Sequence, residues 1–190
     1  MPKKPHTLSL GPGTLLVSEP FLQDENFMRS VVLLCEHQEV GSFGLVLNKQ
    51  SILTLDEVLE EMPLPHIPVF VGGPVEQNTL HFIYKSKHKF PGGIRLGEDV
   101  YWGGDFDLVV KGLLEGKIDE ASIRFFIGYS GWSAGQLDQE VQENTWIVTN
   151  DIGAECLFEH TSDELWRYIL KYLGGEFKQM ANYPIDPRLN

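Results

Sequence analysis

The chain has little cysteine, little positive charge and no long apolar run, and each shortage closes off a class of protein. Its two cysteines, Cys35 and Cys156, stand far apart and form no C-x-x-C pair. That leaves no disulfide framework and gives neither residue the spacing of a structural zinc site. Both sit among apolar neighbours and read as buried thiols. Lys and Arg number 15 against 27 Asp and Glu, a formal charge of −12. So acidic a chain repels phosphate backbones, and nucleic-acid binding normally needs a cationic stripe. The local exceptions are Lys3 and Lys4 and the segment Lys85, Lys87, His88 and Lys89, which reads as a solvated loop. No segment approaches the roughly 20 apolar residues of a membrane span. The amino terminus carries lysines without the apolar stretch of a signal peptide behind them. The expectation is a cytoplasmic protein with a protein or small-molecule partner, and without nucleic acid or membrane.

Several chemical motifs are missing too. There is no H-E-x-x-H, and the six histidines are scattered. Cys35 and His37 alternate along one predicted strand and so share a face, but two ligands do not make a site. The stretch GLLEGK at 112–117 has too few residues between its glycines for a phosphate-binding loop, and Ile118 stands where that loop needs a hydroxyl. No dinucleotide-binding glycine fingerprint occurs. Neither a metal nor a cofactor is expected.

What is present is the composition of a folded protein: 42% hydrophobic and 11% aromatic residues in 190. A single domain over 1–190 is expected, with residues 1–10 as a flexible extension. Strands are predicted at Thr14–Ser18, Arg29–Glu36, Phe43–Lys49, Val69–Val71, Thr79–Lys85, Ile94–Leu96, Val100–Trp102, Ser122–Tyr129, Thr145–Thr149 and Glu155–Phe158. The run SVVLLC suits a strand covered on both faces, and the short gap before Phe43 reads as a hairpin. Thr54 with Glu57 forms a capping box before a short helix lined by Leu55, Val58, Leu59 and Met62. Further helices are predicted at Asp105–Glu115, after Ser133 with its partner Gln136, and after Thr161 with Glu164. Hairpins followed by interleaved helices predict an α+β fold with a mixed, strongly twisted sheet flanked by about four helices.

The densest signal is FIGYSGWSAGQLDQE at 126–140. Gly128, Gly131 and Gly135 crowd beside Tyr129 and Trp132, as where a backbone turns sharply or is approached closely. A corner is expected here, leaving a surface hollow lined by Gly128, Tyr129, Gly131, Trp132, Ser133, Gln136 and Glu140. The turn Gly72-Gly73-Pro74 and the strand-ending Asn48 are expected beside it. A hydrolase reading takes Ser130 as nucleophile with Asp151 and His160, in the order of the α/β-hydrolase triad. Its weakness is the sequence G-Y-S-G-W where the nucleophile elbow needs G-x-S-x-G. A third reading, direct DNA contact by a regulator, runs against the charge.

The segments GTLLVSEPFLQDENFMRSVVLLCEH, GSFGLVLNK, VFVGGPV, FFIGYSGWSAGQLDQE, NTW and PIDPRLN, in that order, resemble the YqgE/AlgH family over residues 8–190. The resemblance implies a bacterial cytoplasmic protein with a barrel-like sheet flanked by helices. It also brings the family's label of transcriptional regulator, which rests on no DNA-binding motif. Arg188 stands where the terminal motif of that family commonly has serine. On the residues themselves, a non-enzymatic binding or regulatory module is the preferred reading.

Overall fold

Apolar residues on both sides of successive strands set the architecture. The structure is a computed structural model that describes residues 9–184. In β1 (Leu15–Ser18), β2 (Val31–Gln38) and β3 (Gly41–Val46), neighbouring side chains point to opposite faces. Leu15, Val17, Leu33 and Leu45 enter one core, and Leu16, Val32, Leu34 and Val46 another. That is why SVVLLC carries no alternation: the sheet is buried on both sides here. The first core is covered by α5 (Ser162–Leu173) through Leu165, Trp166, Ile169 and Leu170. The second is closed by Leu137 of α3 (Gln136–Gln142) and by Trp132 and Trp146.

The remaining strands are β4 (Gln50–Thr54), β5 (Pro68–Val71), β6 (Val75–Lys85), β7 (Ile94–Gly97), β8 (Val100–Trp102), β9 (Ile123–Ser133) and β10 (Trp146–Thr149). The order is β10-β1-β2-β3-β9-β6-β8-β7, with β5 joining β4 to β9. Pairing is antiparallel throughout except for β5 with β9. A third core lies under α1 (Leu55–Val58) and α2 (Phe106–Leu114), built from Leu55, Phe82, Tyr84, Val109, Leu113, Ile123 and Phe125. Strand β9 therefore feeds all three cores, through Phe126, Trp132 and Phe125.

The four predicted helices are α1, α2, α3 and α5; α4 (Cys156–Glu159) and α6 (Gly175–Met180) bring the described residues to six. The strand predicted at Glu155–Phe158 is instead the turn of α4, with Cys156 and Leu157 buried. The Thr54 capping box forms, with Glu57 accepting from the Thr54 amide at 2.8 Å, but its helix lasts one turn and Met62 is exposed. Leu114, in the last turn of α2, is also exposed. The extension predicted over 1–10 lies outside the described residues up to Leu8. Leu10 packs on the core beside β1 and β2, and Ser9 O accepts from Asn150 Nδ2 at 3.3 Å.

Candidate functional site

Strand β9 does not end at Tyr129, as the glycines suggest, but runs on to Ser133 and changes partner on the way. Residues 123–129 pair with β5 and β6, and residues 130–133 pair with β3. The change falls at Gly128, whose φ of +65° favours glycine. A Cβ there would stand 2.8 Å from the carbonyl oxygens of both Gly73 and Val75. Opposite it, residues 76–79 of β6 bulge out of register. The turn 72–75 crosses β9 so closely that a Cβ on Gly72 would lie 2.4 Å from Gly128 O. Gly72 O in turn accepts from Val46 N at 2.8 Å and from Ser130 Oγ at 3.1 Å.

Past this crossing, alternation sends neighbouring residues to opposite sides. Ser130 and Trp132 point inward, at 0% and 6% exposure, while Gly131 and Ser133 are exposed and Tyr129 is half-buried. Trp132 Nε1 donates to Glu140 Oε2 at 2.9 Å, and Trp146 Nε1 donates to the same oxygen at 2.8 Å. Gln136 Nε2 donates to Glu140 Oε1 at 3.0 Å, and Gln136 Oε1 accepts from Ser133 N at 3.0 Å. Thus Gln136 and Glu140 of α3 tie two indoles and the end of β9 together. The predicted cap by Ser133 is half formed: α3 starts after Gly135, in the left-handed conformation.

On the outer side lies an open, shallow hollow of about 470 Å³. It is lined by Phe43, Val75, Tyr129, Trp132 and Ser133, by the glycines Gly41 and Gly131, and by Glu36 and Gln38. The Phe43 and Tyr129 rings stack at 4.7 Å between centroids, and Trp102 and His81 lie 4.8 and 5.2 Å from Phe43. Thr79 Oγ1 donates to Glu76 O at 2.8 Å, so it accepts from His81 Nε2–H at 3.0 Å and leaves Nδ1 as an acceptor. Burial lowers the His81 pKa, against a smaller raising by Glu76. A second hollow of about 290 Å³ lies on the other side of Gly131 and Trp132, with Gln136 and Glu140 in its wall. Of the predicted residues, Tyr129, Gly131, Trp132 and Ser133 line the first hollow, Trp132 being mostly buried, while Gly128, Gln136 and Glu140 do not. Phe43 is a lining residue that sequence reasoning missed, with His81 and Trp102 packed against its ring; the signal within reach was Phe43 alternating along β3.

The other candidates sit elsewhere. Asn48 does not reach the 72–75 turn: its Oδ1 accepts from Val31 N at 2.8 Å and its Nδ2 donates to Arg29 O at 2.9 Å. Pro74 is exposed at the tip of its turn. Ser130, Asp151 and His160 are not brought together by any side-chain hydrogen bond among the described residues. Ser130 is sealed against Gly72, Asp151 is exposed, and His160 stacks on Tyr168 at 3.6 Å. Cys35 and His37 do not converge either. The Cys35 thiol is core, its pKa pushed well up by burial and then by Glu36, while His37 Nδ1 pairs with Ser42 Oγ at 2.8 Å. Burial likewise holds the Cys156 thiol up at about 12. No helix of the described residues is long and apolar enough to cross a membrane.

Known proteins share this frame. A solved structure from Corynebacterium diphtheriae superposes with a TM-score of 0.76 at 22% identity, covering 92% of this chain and 93% of that one. The solution structure of the AlgH protein from Pseudomonas aeruginosa gives 0.71 at 30% identity, over 90% and 93%. A UPF0301 protein of Cytophaga hutchinsonii is 43% identical over 94% of this chain and 98% of its own length. One of Parabacteroides distasonis is 39% identical over 94% and 90%. The AlgH-like family profile matches residues 15–178, and the chain belongs to that family.

Proposed function

We propose that the chain is a single-domain, cytoplasmic binding module without chemistry of its own. It takes a small molecule or a protein segment on the outer face of the corner. One observation carries this reading: a hollow of about 470 Å³ lined by the stacked Phe43–Tyr129 pair and by the glycines Gly41 and Gly131. Binding sites for small ligands fall in this size range and combine aromatic walls with a few backbone polar groups. Stacked rings give an apolar or aromatic group a flat face at small conformational cost. The formal charge of −12 favours such a partner over nucleic acid. The test compares Gly131→Arg, which fills the hollow, with Ser130→Ala, which alters only the inner side. Material retained through gentle purification is identified by native mass spectrometry. Loss from Gly131→Arg with retention by Ser130→Ala is expected; equal retention by both places binding elsewhere.

A further inference from the structure

Away from the corner, cations gather in one place on this acidic chain. A hollow of about 330 Å³ is lined by Arg29, Lys49 and Arg167, with Asp163 as the only carboxylate among the described residues, and by Asn48, Ser162 and Trp166. Among the described residues, no carboxylate lies within ion-pair distance of any of the three cations. Lys49 is partly spoken for, since its Nζ donates to Glu25 O, with the Asp24 and Glu25 charges near it. The two guanidiniums carry the positive field.

Arg29 is held in place with effort. Its backbone sits at φ +50°, a conformation that strains a non-glycine residue. The Asn48 amide fixes that conformation by donating to Arg29 O and accepting from the amide two residues on, Val31 N. The side chain lies over the Trp166 ring at 4.9 Å, and Nη2 donates to Tyr183 O. Nε is buried, and among the described residues it has no hydrogen-bond partner. Leaving a charged donor unpaired is costly, a state normally relieved by an acceptor. Burial and the Arg167 charge both lower the Arg29 pKa, as expected of two guanidiniums sharing one space. The hollow also reaches Ser162 and Asp163 of α5, whose first-turn amides have no intrahelical partner.

We infer that this hollow is an oxyanion site. It takes the phosphoryl group of a small metabolite, or free phosphate, between Arg29 and Arg167, with Lys49 at the rim. A tetrahedral dianion matches a guanidinium fork better than chloride does, through paired N–H bonds. The inference does not depend on the corner being a binding surface.

The test is an NMR titration of the full chain with inorganic phosphate at constant ionic strength, following the Arg29 Nε–H signal and the amides of Ser162 and Asp163. A parallel arm uses glycerol phosphate; tighter binding there points to a monoester, and weaker binding to the free anion. The signals are expected to move together and saturate. Arg167→Gln, at an exposed position, should keep the fold and weaken binding about tenfold. Arg29→Gln should abolish it, and Arg95→Gln should change nothing. Signals that stay still, or that chloride moves equally, overturn the inference. So would an Arg29 Nε–H already shifted without phosphate and released by Asp186→Asn, since the chain's own carboxylate would then fill the hollow.

Discussion

The inner and outer faces of β9 beyond Gly128 differ in kind, although they interleave residue by residue. Inward, Ser130 and Trp132 are buried and hydrogen-bonded, to Gly72 O and to Glu140. Outward, Tyr129, Gly131 and Ser133 face a hollow whose polar backbone is close to the surface. The glycine-rich stretch thus serves two purposes at once: the crossing at Gly72 and Gly128 holds the sheet together, and the register with β3 opens the surface. Residues that look like one motif divide into fold and site by the two-residue period of a strand.

The comparison breaks most severely at the crossing itself. Gly72→Val places a side chain against Gly128 O and is expected to cost more than about 4 kcal/mol, read by urea unfolding. Next comes the inner face: Trp132→Ala should cost about 3–5 kcal/mol in the same assay. Glu140→Leu, which strands two indole N–H donors, should cost about 1–3 kcal/mol. Ser130→Ala should cost about 1 kcal/mol, with parental ligand retention.

The smallest effect lies at the outer face and depends on pH. Burial depresses the His81 pKa below its unfolded value, so the unfolded chain takes up the proton first. Stability is then complete above about pH 6.5 and falls as pH drops from there through the folded-state pKa. His81→Phe should flatten that slope in thermal unfolding between about pH 7 and pH 5. An unchanged slope would mean that the ring does not titrate as its burial demands.

Much of the frame is legible before any coordinates. The β2–β3 hairpin follows from SVVLLC and the alternation after Gly41, and α5 from the Thr161–Glu164 capping pair and the spacing of Leu165 and Ile169, although Tyr172, read into the same stripe, is exposed. What escapes has a physical reason. The apolar run Cys156–Phe158 is too short for its period to separate strand from helix. Strand β4 has almost no buried side chain, with Ile52 at 98% exposure, so it pairs without a pattern. Helix α6 has no fully buried residue. At the corner, the glycines announce a close approach but not which side opens, because that depends on Phe43 falling opposite Gly131. Arg29 gives no signal at all: one arginine before an apolar strand is ordinary, and its role comes from Asn48 and Trp166, distant in sequence.

The central claim is that binding belongs to the outer face of β9 while the inner face only holds the fold. Backbone amide shifts, compared before and after removal of whatever the native protein retains, test it directly. Changes confined to residues 41–43, 75 and 129–133, with Trp132 and Trp146 indole signals unmoved, are the predicted result. Changes centred on another surface, with those amides still, would contradict it.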